Sequence, residues 1–440
     1  MMDLLTENLE WIEERLDKAD SCEKSGKILN VNGLVIESEG PEAALGEICM
    51  IESPRTGEAA PVEVVGFREN RVLLMPLGEM NDLHPGCRVV TSQESNSVPV
   101  GDKLLGRVLN GHMRPIDGKG PLLAPSSGKL KNRPPDPMKR RSIESCFETG
   151  VKAVDTFTPM GFGQRMGIFS GSGVGKSVLL GMLGRNSDAD VNVIALVGER
   201  GREVKDFIEK QLCEEGMKKT VVIVTTSDQP APLRIRAANL ATAIAENFRD
   251  EGRNVLLLMD SVTRLAMAQR EIGLAVGEPP TSRGYTPSVF GMLPKLMERS
   301  GTGEVGSITA FYTVLVEGDD MNEPVADAVR SILDGHIILS RKLANANHFP
   351  AIDVLDSISR LYLEVCSEEE VNLVTEAREL LALYRNNEDL INVGAYAHGS
   401  NPRIDLAIQK FVPIQEFLRQ VHGTKMCRVE SFAKLGEILS

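Results

Sequence analysis

The chain has 440 residues, 42% of them hydrophobic and 25% charged, so we expect a globular protein of two or three domains. Its formal net charge of −13 argues against a chain-wide nucleic-acid footprint, and no apolar run reaches the roughly 18 residues that span a bilayer. No signal-peptide pattern opens the sequence, and its seven scattered cysteines and six histidines show no ligand spacing. These features predict a cytosolic protein with reduced thiols and without a structural metal.

The first 20 residues carry a stripe of apolar side chains at helical spacing, formed by Leu5, Leu9, Ile12 and Leu16. Acidic residues lie between them, so this segment is predicted to be an amphipathic helix. Such a stripe can pack on its own domain or on a partner, and the spacing alone does not separate the two.

Short β-rich runs separated by Gly, Pro and Asn follow from residue 26 to about 90, and they predict a small β-barrel. The clearest of these runs are Ile28–Ile36, Ala60–Val65 and Arg71–Met75. The next segment, Gly101–Pro137, is dense in Gly and Pro and is predicted to be a domain junction. Within it, Arg133–Pro137 is not expected to form regular structure.

From about residue 142 to 360, continuously apolar strands alternate with helical stretches. This pattern predicts an α/β domain whose parallel sheet is covered on both faces. The predicted strands are Val193–Val197, Val221–Val224, Val255–Met259, Ser307–Val316 and Ile337–Leu339. After residue 360 the pattern becomes helical over Glu368–Asn386 and Pro402–Gln420, which predicts an α-helical tail.

The motif most informative about chemistry is the glycine-rich run Ser170–Ser177, which precedes the helix-like run Val178–Leu183. Glycines at this spacing let backbone N–H groups point at a polyphosphate, while Lys176 reaches the outer phosphates and the Ser177 hydroxyl completes a Mg²⁺ shell. Ser170 stands where this phosphate-loop pattern has Gly or Ala. The predicted nucleotide-binding residues here are Gly171, Ser172, Gly173, Val174, Gly175, Lys176, Ser177 and Val178.

Two carboxylates end predicted strands on the same side of the sheet. Asp260 closes a buried apolar run, the usual position for a residue that binds Mg²⁺ opposite the loop serine. Glu199 ends another strand, where a carboxylate can orient and polarise an attacking water. The alternative for Glu199 is a surface ion pair with Arg200 or Arg202.

Two further candidates lie beyond the fifth strand. Phe349 precedes a proline and could stack on an adenine. Arg360 could be an arginine finger, although by spacing alone most arginines make ordinary surface pairs.

Taken together, these motifs resemble the rotary ATPase catalytic subunit superfamily and its type III secretion branch. The blocks that carry this resemblance are Ser170–Ser177, Gly198–Glu203, Asp260–Arg264 and Pro350–Arg360. Further blocks resemble the flagellar protein-export ATPases, namely Met267–Gly273, Glu278–Pro280, Gly284–Phe290 and Gly318–Pro324.

The resemblance implies a RecA-like P-loop core, with a small β-barrel domain before it and an α-helical domain after it. The expected boundaries are 1–25 for the N-terminal helix, 26–95 for the barrel, 96–361 for the core and 362–440 for the helical domain. The implied activity is Mg²⁺-dependent hydrolysis of ATP coupled to protein export. The resemblance implies that Lys176, Ser177 and Asp260 bind phosphate and Mg²⁺ and that Glu199 activates water. It implies nucleotide-site contacts for Arg200, Arg264 and Phe349. Arg360 would be an arginine finger that reaches the nucleotide of a neighbouring subunit.

The resemblance also implies partners. They are a homohexameric ring, a stator-like regulator dimer on residues 1–20, a coiled-coil stalk, and the export gate with its chaperones and substrates. The protein is expected in the cytoplasm, peripheral to the membrane. No nucleic-acid partner is expected.

Several alternatives share parts of this chemistry. A virulence secretion ATPase shares all of it and differs only in its partners. A non-catalytic subunit would lack the carboxylate at Glu199, and a synthase β subunit would carry an Asp-Glu-Leu-Ser-Glu-Glu-Asp loop in the tail, which is absent here. A ring-shaped RNA translocase fits the acidic composition poorly.

Overall fold

The computed structural model describes residues 24–53, 57–80, 82–92, 97–122, 126–316, 318 and 320–440. The predicted amphipathic helix over residues 1–20 lies outside these residues. Internal contacts divide the chain into two compact units, 1–96 with 275–277 and 97–274 with 278–440. The four predicted domain boundaries stay predictions.

The first unit contains a closed antiparallel barrel in the order β1-β2-β5-β4-β3-β6. Its interior is filled by alternate side chains such as Ile36, Ile51 and Leu74, each fully buried, because successive residues of a strand face opposite sides. The predicted run Ile28–Ile36 is not one strand but a hairpin, because the chain turns at Gly33 and Leu34. The barrel strands are β1 (Ser25–Asn32), β2 (Val35–Glu39), β3 (Ile48–Glu52), β4 (Ala59–Arg68), β5 (Arg71–Pro76) and β6 (Arg88–Thr91).

The second unit is built on a twisted sheet in the order β19-β18-β12-β17-β15-β13-β14-β8, with β16 paired to β17. All pairs along this order are parallel except β18 with β19. The strands of this unit are β7 (Ser97–Val100), β8 (Val108–Asn110), β9 (Ser126–Lys129), β10 (Cys146–Phe147), β11 (Met160–Gly161), β12 (Arg165–Ser170), β13 (Val191–Glu199), β14 (Thr220–Thr226), β15 (Asn254–Asp260), β16 (Gly301–Thr302), β17 (Ser307–Leu315), β18 (Gly335–Leu339) and β19 (Ile352–Ser359).

Helices cover both faces of this sheet, which is why its strands are apolar throughout. All nine residues of β13 are buried, and the apolar residues separate into two clusters, one on each face. The helices are α1 (Lys152–Phe157), α2 (Lys176–Asn186), α3 (Gly201–Asp206), α4 (Cys213–Met217), α5 (Ala231–Asp250), α6 (Val262–Val276), α7 (Pro287–Met297), α8 (Pro324–Ile332), α9 (Arg341–Asn345), α10 (Tyr362–Val365), α11 (Glu368–Asn392), α12 (Pro402–Leu418) and α13 (Arg428–Leu439).

The predicted architecture is confirmed: a β-barrel, a RecA-like core with a parallel sheet, and a helical C-terminal region. The five predicted core strands lie within β13, β14, β15, β17 and β18, except that Val316 follows the end of β17. The tail helices are α11, which begins with a capping box formed by Ser367 and Glu370, and α12. Two further helices of the tail, the short α10 and α13, were not predicted. Among the described residues, no helix combines the length and apolarity needed to cross a membrane.

The segment Gly101–Pro137 is more ordered than its composition predicts. It contains β8, which extends the core sheet along β14, and β9, which pairs with β7. Leu104, Leu109 and Leu130 are buried in the core, and this apolar anchoring explains why a Gly- and Pro-rich segment takes a defined path. Only Pro137 of the Arg133–Pro137 stretch is in regular structure, as the first residue of a short 3-10 helix.

Candidate nucleotide site

The phosphate-loop motif forms the turn between β12 and α2, at the carboxyl edge of the sheet. Gly175, just before the helix, has a φ of 91°, which a residue with a side chain rarely adopts. A Cβ there would also meet the Phe349 ring at 3.3 Å, so the glycine lets this ring lie against the loop. Ser170 is the last residue of β12 and is not among the residues with positive φ, so its position does not require glycine.

A cleft of about 690 Å³ opens over this turn. It contains most of the residues predicted to bind nucleotide, and Ser177 is exposed in it. The side chain of Val174 is an exception, because it is buried in the apolar core beneath the loop. The predicted residues that line the cleft are Gly171, Ser172, Gly173, Gly175, Lys176, Ser177, Val178, Glu199, Arg200 and Arg264.

The charged centre of the cleft is the ammonium group of Lys176. It contacts Asp260 Oδ1 directly and lies 3.5 Å from Glu199 Oε1. Both carboxylates end their strands, β15 and β13, so the parallel sheet brings them to the same edge beside the loop. The side chains of Glu199 and Asp260 are only 8% and 5% exposed, which strengthens their interaction with the lysine.

Arg264 supplies a second cation to Glu199. Its Nε lies 3.5 Å from Glu199 Oε1, and its stem packs on Gly198, where a Cβ would come within 2.9 Å of Arg264 Cδ. Gly198 has a φ of 73° at an irregularity in the β13–β14 pairing. The glycine before Glu199 therefore allows the close approach of the arginine.

These charges shift the pKa values of the buried groups. Burial raises the pKa of Glu199, and the Asp260 carboxylate adds to this, although Lys176 and Arg264 act against it. Burial acts to lower the pKa of Lys176, but attraction to Asp260 and Glu199 outweighs it, so that pKa is raised. Lys176 is therefore charged at neutral pH, and Glu199 is a stronger proton acceptor than an ordinary glutamate.

Arg200 lies on the rim of the cleft rather than at its centre. Its side chain is 75% exposed and its Nη1 lies 3.6 Å from Glu203 Oε1, one helical turn away. The surface-pair alternative for Glu199 is thus wrong, because Glu199 is buried beside Lys176 and Arg264 while Arg200 pairs with Glu203.

Arg360 is the one predicted site residue that lies far from the cleft. Strand β19 runs antiparallel to β18, so Ile352 pairs with Leu339 at the loop edge and Ser359 pairs with Gly335 at the opposite edge. Arg360 follows Ser359 and is exposed. Eight residues of strand span roughly 25 Å, so the guanidinium cannot reach the phosphate loop of its own chain.

The fit of the cleft to Mg²⁺ can be judged from its donor atoms. The Ser177 hydroxyl and the Asp260 carboxylate are oxygen ligands of the kind Mg²⁺ prefers. No group of three or more His, Cys, Asp or Glu side chains suited to a metal occurs among the described residues. This sparse set fits an ion that keeps several waters and takes phosphate oxygens from its substrate.

Sequence reasoning missed three residues at this site. Thr313 Oγ1 donates a 2.6 Å hydrogen bond to Asp260 Oδ1, and Arg341 Nη1 donates a 3.3 Å bond to the Ser172 carbonyl. Glu323 lines the cleft together with Arg341, whereas Thr313 is buried behind Asp260. A threonine within a strand and polar residues at helix starts are common, so no local pattern marked these positions.

Fold and cleft together define a P-loop nucleotide-binding protein with an appended barrel and helical region. Three family descriptions match the chain in this order. The "ATP synthase alpha/beta family, beta-barrel domain" matches residues 28–92, the "nucleotide-binding domain" of that family matches 150–359, and the "T3SS EscN ATPase C-terminal domain" matches 366–437.

Curated relatives match over nearly the whole chain. The "Flagellum-specific ATP synthase" of Bacillus subtilis is 52% identical and covers 96% of both chains. The "Type 3 secretion system ATPase" of Sinorhizobium fredii is 49% identical over 90% of this chain and 88% of that one. A solved structure of the assembled ATPase EscN from enteropathogenic E. coli superposes with a TM-score of 0.90 at 44% identity, covering 94% of this chain and all of that one. The chain therefore belongs to the ATP synthase alpha/beta family, in its flagellar and type III secretion branch.

Proposed function

We propose that ATP is bound and hydrolysed in the cleft over the phosphate loop, and that each site is completed by a second copy of the chain. The chain is an ATPase of the flagellar and type III export branch. The observation that carries the site assignment is the position of Lys176 between Glu199 and Asp260 at the mouth of the loop. This arrangement supplies a cation for phosphates, a ligand for a metal and a candidate base within one cleft.

Each residue of the centre has a distinct proposed role. Lys176 leaves its carboxylate partners to bind the β- and γ-phosphates, and the loop N–H groups and the start of α2 bind the remaining phosphate charge. Ser177 and Asp260 would hold Mg²⁺, which would neutralise charge on the phosphates. Glu199 orients a water for attack and accepts its proton, a role that its raised pKa favours.

The rest of the nucleotide contacts Phe349 beside the loop and the arginines of the cleft. The Phe349 ring, 38% exposed and packed on Gly175, offers one face to the adenine. Arg264 beside Glu199, and Arg200 on the rim, provide further positive charge. Val174 contributes only its backbone.

Arg360 is proposed to act in a neighbouring subunit. The position of Arg360 at the edge of the sheet opposite the loop supports this, because an exposed arginine there can enter another subunit's cleft but not its own. The assembled form reported for EscN supports a ring as the setting for this exchange. A guanidinium placed from outside stabilises charge that develops on the transferred phosphoryl group.

The proposed setting is the flagellar type III export apparatus, at the cytoplasmic face of the membrane. A structure of EscN in complex with its central stalk EscO supports a coiled-coil stalk partner for this chain as well. A regulator dimer on residues 1–20, and the export gate with its chaperones and substrates, complete the proposal. The alternative is a virulence secretion system, favoured by the 49% identity to the S. fredii protein.

The decisive test of the site is Glu199→Gln, which keeps the shape of the side chain and removes the base. We expect binding of ATP with Mg²⁺ to persist and turnover to fall about 100-fold or more, because binding uses the loop and chemistry uses the carboxylate. Glu203→Gln is the matched control, since Glu203 lies in the same segment and cleft but is partly exposed and paired with Arg200. Near-normal hydrolysis by Glu199→Gln would refute the assigned base.

A further inference from the structure

Thr313 lies on the central strand of the core sheet, between the strand that leads into the phosphate loop and the strand that ends at Asp260. On one side it pairs with Ile168 of β12, and on the other its neighbour Tyr312 pairs with Met259 of β15. Thr313 is fully buried. Thr313 therefore lies between β12, which leads to Ser177, and β15, which ends at Asp260, the two proposed Mg²⁺ ligands.

The hydroxyl of Thr313 has one strong interaction. Its Oγ1 lies 2.6 Å from Asp260 Oδ1 and 3.4 Å from the Met259 carbonyl, so the carboxylate is the main acceptor. The Lys176 ammonium contacts the same Oδ1. Among the described residues, no donor to Oδ2 is found, so protein donors hold one carboxylate oxygen and leave the other without a hydrogen bond.

We propose that Thr313 is a positioning residue, whose hydroxyl orients the Asp260 carboxylate so that its second oxygen faces Mg²⁺; this inference rests on the proposed function. The Lys176 ammonium cannot perform this task during turnover, because it turns to the phosphates when nucleotide binds. A hydroxyl remains in place, and since it carries no charge it orients the carboxylate without competing with the cation.

The test measures Mg²⁺ dependence rather than turnover. The probe is a fluorescent ATP analogue, titrated with Mg²⁺ from zero, with binding in EDTA measured separately. For Thr313→Val, which keeps the branched shape and removes the hydroxyl, we expect the Mg²⁺ concentration for half-maximal binding to rise about 10-fold. Binding of the analogue in EDTA stays unchanged, and Thr313→Ser, which keeps the hydroxyl, restores the Mg²⁺ dependence.

The matched control is Thr309→Val on the same strand. Thr309 is also buried, and its hydroxyl accepts a 2.9 Å hydrogen bond from the Gly163 amide, away from Asp260. This variant also loses one buried hydrogen bond of a threonine hydroxyl on β17, so we expect lower stability with a wild-type Mg²⁺ dependence. If Thr309→Val shifts the Mg²⁺ dependence as much as Thr313→Val, the effect is general loosening of the strand and the inference is overturned.

Testing Thr313→Val in a protein that already carries Asp260→Asn distinguishes a failure of this inference from a failure of the proposed function. In Asp260→Asn, we expect the Mg²⁺ dependence to be lost and the further change Thr313→Val to add nothing, because Thr313 acts through Asp260. An Asp260→Asn variant with a wild-type response would overturn the proposed metal role itself. If Asp260→Asn loses the response while Thr313→Val and Thr313→Ala both keep it, only the role of Thr313 is wrong.

Discussion

Two buried clusters of charged side chains in the core unit differ in their composition and their access to a cleft. At the carboxyl edge of the sheet, one lysine faces two carboxylates beside an open cleft. Away from it, Arg299 binds both carboxylate oxygens of Glu246, at 2.9 and 2.7 Å, and its other donors bind Asn239 and the Leu130 carbonyl. Lys176 can exchange its partners for a ligand, whereas Arg299 is held by four hydrogen bonds to protein acceptors.

The difference suggests how the charge cluster that we propose to be functional is distinguished from a structural ion pair. Burial alone does not separate them, because both are buried. The distinguishing features are an unequal number of charges and access to a cavity. Arg299 and Glu246 join the chain around Leu130 to α5, which is the task of a structural pair.

The largest expected effect is a loss of stability on removing the cation of the structural pair. Arg299→Met leaves Glu246 buried without its cation, and we expect the free energy of unfolding to fall by about 3–5 kcal/mol. Lys176→Met should cost less stability, because Lys176 and Glu199 line the open cleft, and should abolish ATP binding. Urea denaturation and nucleotide titration measure the two effects, with the exposed Lys139→Met as a control expected to change neither. Equal loss of stability in both variants would contradict the distinction.

A second prediction concerns Arg360, the proposed arginine finger, which lies too far from the cleft of its own chain to act there. Subunits with Arg360→Ala and subunits with Glu199→Gln are each expected to be inactive alone. When they are mixed, about a quarter of random contacts join an intact Glu199 to an intact Arg360, so ATPase activity should partly return. Sedimentation must show that mixed assemblies form, and no recovery in such assemblies would contradict a shared site.

The smallest expected effect concerns Ser170, whose hydroxyl is buried and has no hydrogen-bond partner among the described residues. An unpaired buried hydroxyl is unfavourable, so Ser170→Ala should raise the free energy of unfolding by about 1 kcal/mol. Ser177→Ala, at the exposed end of the same loop, should leave it unchanged. Urea denaturation compares them, and destabilisation by Ser170→Ala would mean that its hydroxyl has a partner.

The sequence predicted best where a pattern is imposed by the backbone. Continuous apolar runs marked β13, β14 and β15 because a parallel sheet is covered on both faces, and the polar residue ending such a run marked Glu199 and Asp260. The glycine-rich loop was predictable for the same reason, since its spacing follows from the path of the chain around phosphates.

The rest could not be predicted because it depends on contacts between distant residues. The 2.6 Å contact of Thr313 with Asp260 joins residues 53 positions apart, and nothing near Thr313 in the sequence announces it. The position of Arg360 likewise depends on β19 running antiparallel to β18, a topological fact that spacing does not contain. The hairpin in Ile28–Ile36 was missed because one glycine turn is easily concealed in a β-rich run.

The antiparallel course of β19 determines how many complete active sites an assembly of subunits contains. Its first residue lies near its own chain's phosphate loop, while Arg360 follows its last residue and is proposed to act in a neighbour, so the proposed contact between copies is head-to-tail. An open row of subunits then always has one complete site fewer than it has members, and only a closed ring equips every member. ATPase activity per chain would therefore rise with the number of subunits in the row and be highest in a closed ring. Specific activity would then report the fraction of chains in closed rings.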